Sequence, residues 1–129
     1  MTIIEKKIKT EQQIIEAMHC TANLAKKYGF PTTMILKLQL VTEEACTNAL
    51  EYCQHQNISF FKVKWKVKSN RFELSVKQKG GEFTLAQQEE VNTGIRGRGL
   101  FLIQQFVDLV EIRKDKEDVE LLIIKENGV

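Results

Sequence analysis

Phe61, Val63, Trp65 and Val67 alternate with Lys62, Lys64, Lys66 and Lys68, and this alternation restricts the fold more than any other feature of the chain. Side chains along a strand point alternately to opposite faces, so the stretch reads as a strand with one buried and one wet face. Ser69-Asn70 makes a two-residue turn, and Phe72, Leu74 and Val76 then alternate in the same way. The two runs form a hairpin whose apolar face needs a covering layer.

Two helices before the hairpin can supply that layer. Ile3 to Lys9 is short and mixed and reads as an edge strand. Thr10 caps a helix carrying Ile14, Ile15, Met18, Ala22 and Ala25 at helical spacing. Tyr28-Gly29-Phe30-Pro31 stops it, since glycine suits a helix C-terminus and proline cannot continue one. Thr32 or Thr33 opens a second helix that reaches to about Cys53, and Gln54-His55-Gln56-Asn57 ends it.

Beyond the hairpin, Lys79 to Arg98 is polar and glycine-containing, a loop of the length that serves as a functional lid. An apolar helix follows, with Leu100, Phe101, Leu102, Ile103, Phe106, Val107 and Val110. Two strands, Val110 to Lys114 and Val119 to Lys125, close the chain around a charged turn. The expected order is β-α-α-β-β-lid-α-β-β. The expected fold is an α+β two-layer sandwich, an antiparallel or mixed sheet covered on one face by about three helices. With no repeat, linker or low-complexity tract, residues 1–129 read as a single domain.

Composition excludes several function classes. Lys and Arg number 19 against 17 for Asp and Glu, a net charge of +2, so nothing drives the chain toward nucleic acid or membrane. No apolar run approaches the roughly 20 residues of a membrane span. Met1-Thr2-Ile3-Ile4-Glu5 lacks a signal-peptide pattern, and the expected location is cytoplasmic. The 3 cysteines suggest reduced thiols, with Cys46 and Cys53 as small buried hydrophobes on one helix face. His19, Cys20, Cys53 and His55 match no zinc-ligand spacing. The stripe Lys62, Lys64, Lys66, Lys68 and Lys77 reads as a solvated sheet face, and no exposed aromatic row accompanies it to stack bases.

The chemistry is concentrated in two places. Along the second helix, Leu36, Leu40, Glu44, Asn48 and Tyr52 form an i, i+4 row that turns from apolar to polar at a carboxylate and an amide. Val41, Ala45, Ala49 and Cys53 lie beside it, so Glu44 and Asn48 border the core. A carboxylate in such a place tends toward a raised pKa and suits a general base; an amide oxygen suits Mg²⁺. A merely amphipathic helix with a polar border gives the same row, and on this segment alone that is the better reading. The second place is Gly94-Ile95-Arg96-Gly97-Arg98-Gly99-Leu100, ahead of an apolar helix. Glycines there let backbone approach a phosphate, a helix N-terminus adds free N–H groups, and the arginines add charged donors.

Glu44-Ala45-Cys46-Thr47-Asn48-Ala49 resembles the N-box, E-x-x-x-N-A, of the histidine-kinase-like ATPase superfamily that includes gyrase and the sensor histidine kinases. Leu40 to Ala49 and Arg96 to Ile103 with Val107-Asp108 resemble the anti-sigma-factor serine kinase branch in particular. The resemblance spans most of the chain and implies the Bergerat ATP-binding fold. It implies that Glu44 activates the attacking hydroxyl, that Asn48 holds Mg²⁺, and that Gly97, Arg98 and Gly99 line the triphosphate of ATP beside Arg96 and Leu100. It further implies transfer of the γ-phosphate to a serine of a STAS-type anti-sigma antagonist, by a homodimer that also binds a sigma factor.

The chain departs from that pattern in the first glycine box, D-x-G-x-G-F. Here it reads Gln78-Lys79-Gly80-Gly81-Glu82-Phe83. Gly80 and Phe83 fit. Gln78 stands where an aspartate would accept from the adenine amino group, and Glu82 replaces the second glycine. A late Gly-Thr motif is replaced by Glu117-Asp118. Three outcomes stay open on these residues: a kinase with an altered hold on ATP, a regulator that keeps the fold without the nucleotide, and an ATP-binding regulator outside sigma control.

Overall fold

In the computed structural model, residues 1–80 and 103–128 are described. The strands are β1 (Thr2–Ile8), β2 (Phe61–Lys68), β3 (Arg71–Lys79), β4 (Leu109–Asp115) and β5 (Asp118–Glu126); the long helices are α1 (Glu11–Lys27) and α2 (Thr32–His55). The sheet order is β1-β2-β3-β5-β4, and every neighbouring pair is antiparallel. β4 therefore lies at the far edge of the sheet, and β5 fills the gap between it and β3.

Local chemistry sets the helix ends. Thr10 Oγ1 accepts from the Gln13 backbone N–H at 3.2 Å, while Gln13 Oε1 accepts from Lys9 N–H at 2.6 Å. This reciprocal cap starts α1. At its end Gly29 takes φ 81°, and Phe30 N–H donates to the Ala25 carbonyl at 2.9 Å. That left-handed turn satisfies carbonyls the helix leaves open. Phe30 is thereby buried edge-on against Phe72, with ring centroids 6.2 Å apart. Pro31 is the N-cap of α2 and brings no side-chain hydrogen bond, so Thr32 opens the helix without capping it.

The inner sheet face carries Phe61, Val63, Trp65 and Val67 of β2, Phe72, Leu74 and Val76 of β3, and Leu121 and Ile123 of β5, all fully buried. Val41, Ala45, Cys46, Ala49 and Cys53 of α2 belong to the same core. Burial pushes the Cys46 thiol up to about 12, so both α2 cysteines behave as the small hydrophobes expected. One polar chain threads this core. Trp65 Nε1–H donates to Thr21 Oγ1 at 2.9 Å, the Thr21 and Thr42 hydroxyls are 2.7 Å apart, and Thr42 donates to the Leu38 carbonyl at 2.8 Å. Because a carbonyl only accepts, the protons run from Trp65 to Leu38, tying β2, α1 and α2 at one point.

The outer face is the lysine face. Lys64 lies opposite Glu5, Lys66 opposite Glu73, and Lys77 opposite Glu120. It is less uniformly wet than alternation predicts, because Leu122 and Ile124 of β5 point outward yet are buried. The third expected helix is corrected at its end: residues 103–106 are helical, but β4 begins at Leu109, so the helix stops before Val110. Val110 alternates with its strand neighbours and pairs with Ile123. The expected helix start and most of the expected lid fall at 81–102, outside the described residues.

Candidate functional site

The α2 row rises from solvent into the protein. Leu36 is 61% exposed, Leu40 and Glu44 are half-buried, and Asn48 is buried. The apolar start of the row is thus not core, while its polar members lie deeper than it. Burial raises the Glu44 pKa above the ordinary carboxylate range, and the charges of Glu43 and Glu51 raise it further. A carboxylate so placed keeps a proton more readily than a surface glutamate and is a better base when it has lost it.

β3 brings its end to the same side. Its inward positions run Phe72, Leu74, Val76, Gln78, and Gln78 is 2% exposed. Gln78 Nε2 donates to the Gly80 carbonyl at 3.1 Å. Since that carbonyl can only accept, the amide nitrogen faces it and Oε1 faces the other way. Oε1 is buried and has no hydrogen-bond partner among the described residues. An orphaned acceptor of this kind costs about 1–3 kcal/mol and is a place where a donor fits.

Gly80 fixes the turn out of β3. It adopts φ 76°, and its N–H donates to the Glu117 carbonyl at 2.6 Å. A Cβ at Gly80 would sit 3.3 Å from Tyr52 Oη, so the last turns of α2 lie over the end of β3. The Glu117-Asp118 stretch lacks the Gly-Thr side chains of the resemblance but anchors the strand end through its backbone, with Asp118 opposite Lys79.

Glu44, Asn48, Gln78 and Gly80 are therefore placed by two elements packed on each other. Phe83, Arg96, Gly97, Arg98, Gly99 and Leu100 lie outside the described residues, as does Glu82. Sequence reasoning missed Tyr52 and Glu117 as contributors. Tyr52 was legible as the next member of the i, i+4 row. Nothing in the sequence signals a role for the Glu117 carbonyl, because it acts through backbone alone. No described helix is long and apolar enough to cross a membrane.

Residues 9–125 match the family described as the histidine kinase-like ATPase domain. The chain is 27% identical over 126 residues to the serine-protein kinase RsbW of Bacillus pumilus, covering 86% of this chain and 78% of that protein. It is 25% identical, over an alignment of 135 positions, to the serine-protein kinase RsbW of Bacillus thuringiensis, covering 95% and 83%. In fold it is similar to a chain of the SiaB–SiaC complex from Pseudomonas aeruginosa, with a TM-score of 0.69 at 12% identity, covering 94% of this chain and 88% of that one. It is also similar to the RsbU and RsbW domains of Rv1364c from Mycobacterium tuberculosis, with a TM-score of 0.67 at 13% identity, covering 95% and 32%.

Proposed function

The chain belongs to the histidine kinase-like ATPase domain family, and on that premise we propose that it binds ATP with Mg²⁺ and phosphorylates a serine of an anti-sigma antagonist. The antagonist would be of STAS type, and the protein would also hold a sigma factor, acting as a homodimer of single-domain chains. The observation that carries this reading is Gln78 Oε1, a buried acceptor without a partner among the described residues, at the position the family uses to hold adenine. Its lock on Gly80 keeps the oxygen, not the nitrogen, toward a donor. The exocyclic amino group of adenine is such a donor.

The roles follow from residue chemistry. Asn48 offers an amide oxygen to Mg²⁺, which would supply charge neutralisation on the phosphates. Glu44 takes the proton of the attacking serine hydroxyl. Phe83, Arg96, Gly97, Arg98, Gly99 and Leu100 are assigned to the nucleotide on their sequence match alone. The names of the serine-protein kinase relatives support the activity.

A specific observation favours a second reading. A neutral glutamine replaces the expected carboxylate, and Glu82 adds a side chain and a charge where a glycine is expected. In that reading the protein docks its partners without nucleotide.

Calorimetric titration with Mg-ATP separates the two. Binding supports the kinase, and no heat at millimolar nucleotide leaves only the docking module. With binding in hand, Glu44→Ala should abolish phosphoryl transfer to a serine peptide while keeping most of the affinity. Glu44 acts as a base only when ionised, and its pKa is raised. Transfer should therefore rise as pH climbs through a value above the ordinary glutamate range, and equal activity in Glu44→Ala would refute the role.

A further inference from the structure

On the solvent side of the helical layer, α1 and α2 leave a groove of about 350 Å³. Ile14 and Leu50 are buried at its floor, Met18 is half-buried, and Ile15 stands 45% exposed on its wall. Among the described residues, the charged ones lining it are Glu11, Glu43 and Glu51, with no lysine or arginine. This sign is local. The chain carries a net charge of +2, and Lys62, Lys64, Lys66 and Lys77 stand on the outer face of the sheet. The groove thus combines a narrow apolar floor with carboxylates of one sign along its lip.

We propose that this groove is a docking site for a basic amphipathic helix of a partner protein. A partner helix in such a groove lays apolar anchors at i, i+3, i+4 and i+7 along the floor and turns its flanking charges to the rim. Lysines or arginines on those flanks meet Glu11 and Glu43, whereas acidic flanks meet like charge. Complementary charge steers encounter and sets which partner is accepted. Thr47 and Gln54 are the neutral polar residues of the described lining, and Glu11 and Glu43 stand exposed at its edge. The groove also runs beside the proposed catalytic row, since Glu43 and Thr47 directly precede Glu44 and Asn48 in α2. A partner bound here is held next to the site without entering it.

The test uses the whole chain, ¹⁵N-labelled, titrated with a helical peptide of leucines at i, i+3, i+4 and i+7 separated by lysines. A second peptide carries glutamate in place of every lysine. The lysine peptide should shift the amide signals of Ile14, Ile15, Met18 and Leu50, and the glutamate peptide should not bind. Ile15→Asp and Glu43→Lys should each weaken the lysine peptide by at least tenfold, with far-UV circular dichroism unchanged. Equal binding of both peptides to the unmodified protein would overturn the proposal, as would shifts confined to the sheet. Self-association that Ile15→Asp abolishes would assign the groove to a second copy and overturn it as well.

Discussion

At the scale of single residues, Gln78 decides the most. Its amide is buried, one end tied to the Gly80 carbonyl and the other without a partner among the described residues. Gln78→Asp restores the acceptor charge of the family pattern, and hydrogen bonds to charged groups are stronger than neutral ones by about 1 kcal/mol. Mg-ATP should therefore bind roughly fivefold tighter by calorimetry. The same change removes the donor that satisfies the Gly80 carbonyl and sets a carboxylate beside it. The nucleotide-free protein should lose about 1–3 kcal/mol in urea unfolding. Tighter binding with reduced stability is the expected pair, and unchanged affinity would show that Gln78 does not face the base.

At the scale of elements, the end of β3 and the end of α2 act on each other through Gly80. A left-handed conformation costs a residue with a Cβ about 1–2 kcal/mol, and here the Cβ would also meet Tyr52 Oη at 3.3 Å. Gly80→Ala should destabilise by about 2 kcal/mol in denaturant melts. Removing the hydroxyl with Tyr52→Phe relieves the contact but not the backbone strain. The double variant should thus recover only part of the loss, and a double-mutant cycle measures that part. Full additivity would mean that α2 does not press on this turn. The N-terminal end of α1 is simpler, since Thr10 and Gln13 satisfy its backbone donors within one turn.

At the scale of the whole molecule, the two layers arrange charge differently, the outer sheet face setting lysines across from glutamates. The sheet turns lysines outward, and the helical layer turns carboxylates toward the groove between α1 and α2. The layers are joined at Trp65, the single tryptophan, fully buried and bonded through Thr21 and Thr42 to both helices. Its fluorescence reports on the junction, while far-UV circular dichroism reports on all elements. If residues 1–129 form one cooperative unit, the two signals should melt with one midpoint. Separated midpoints would mean that sheet and helices unfold independently.

The fold was largely legible because it rests on periodicity. Lys62, Lys64, Lys66 and Lys68 announced the outer face of β2, Gly29 and Pro31 the break between helices, and Ser69-Asn70 the hairpin turn. Val110 reads from the sequence both as the last apolar residue of the helix and as the first residue of the next strand, because a short apolar run fits either. Pairing with Ile123 settles it as strand. At the site, the row Glu44, Asn48 and Tyr52 was visible because helical spacing puts i and i+4 together whatever surrounds them. Residue order alone thus determined the layers, the faces and the polar row, all consequences of local geometry. Tertiary structure decided the β1-β2-β3-β5-β4 order, the direction of the Gln78 amide, the Gly80–Glu117 bond and the groove between α1 and α2. The strand order, the Gly80–Glu117 bond and the groove depend on elements far apart in the chain, and the Gln78 amide is directed by the Gly80 carbonyl at that anchored turn. No local pattern of side chains encodes where the Glu117 carbonyl, in the turn between β4 and β5, will lie.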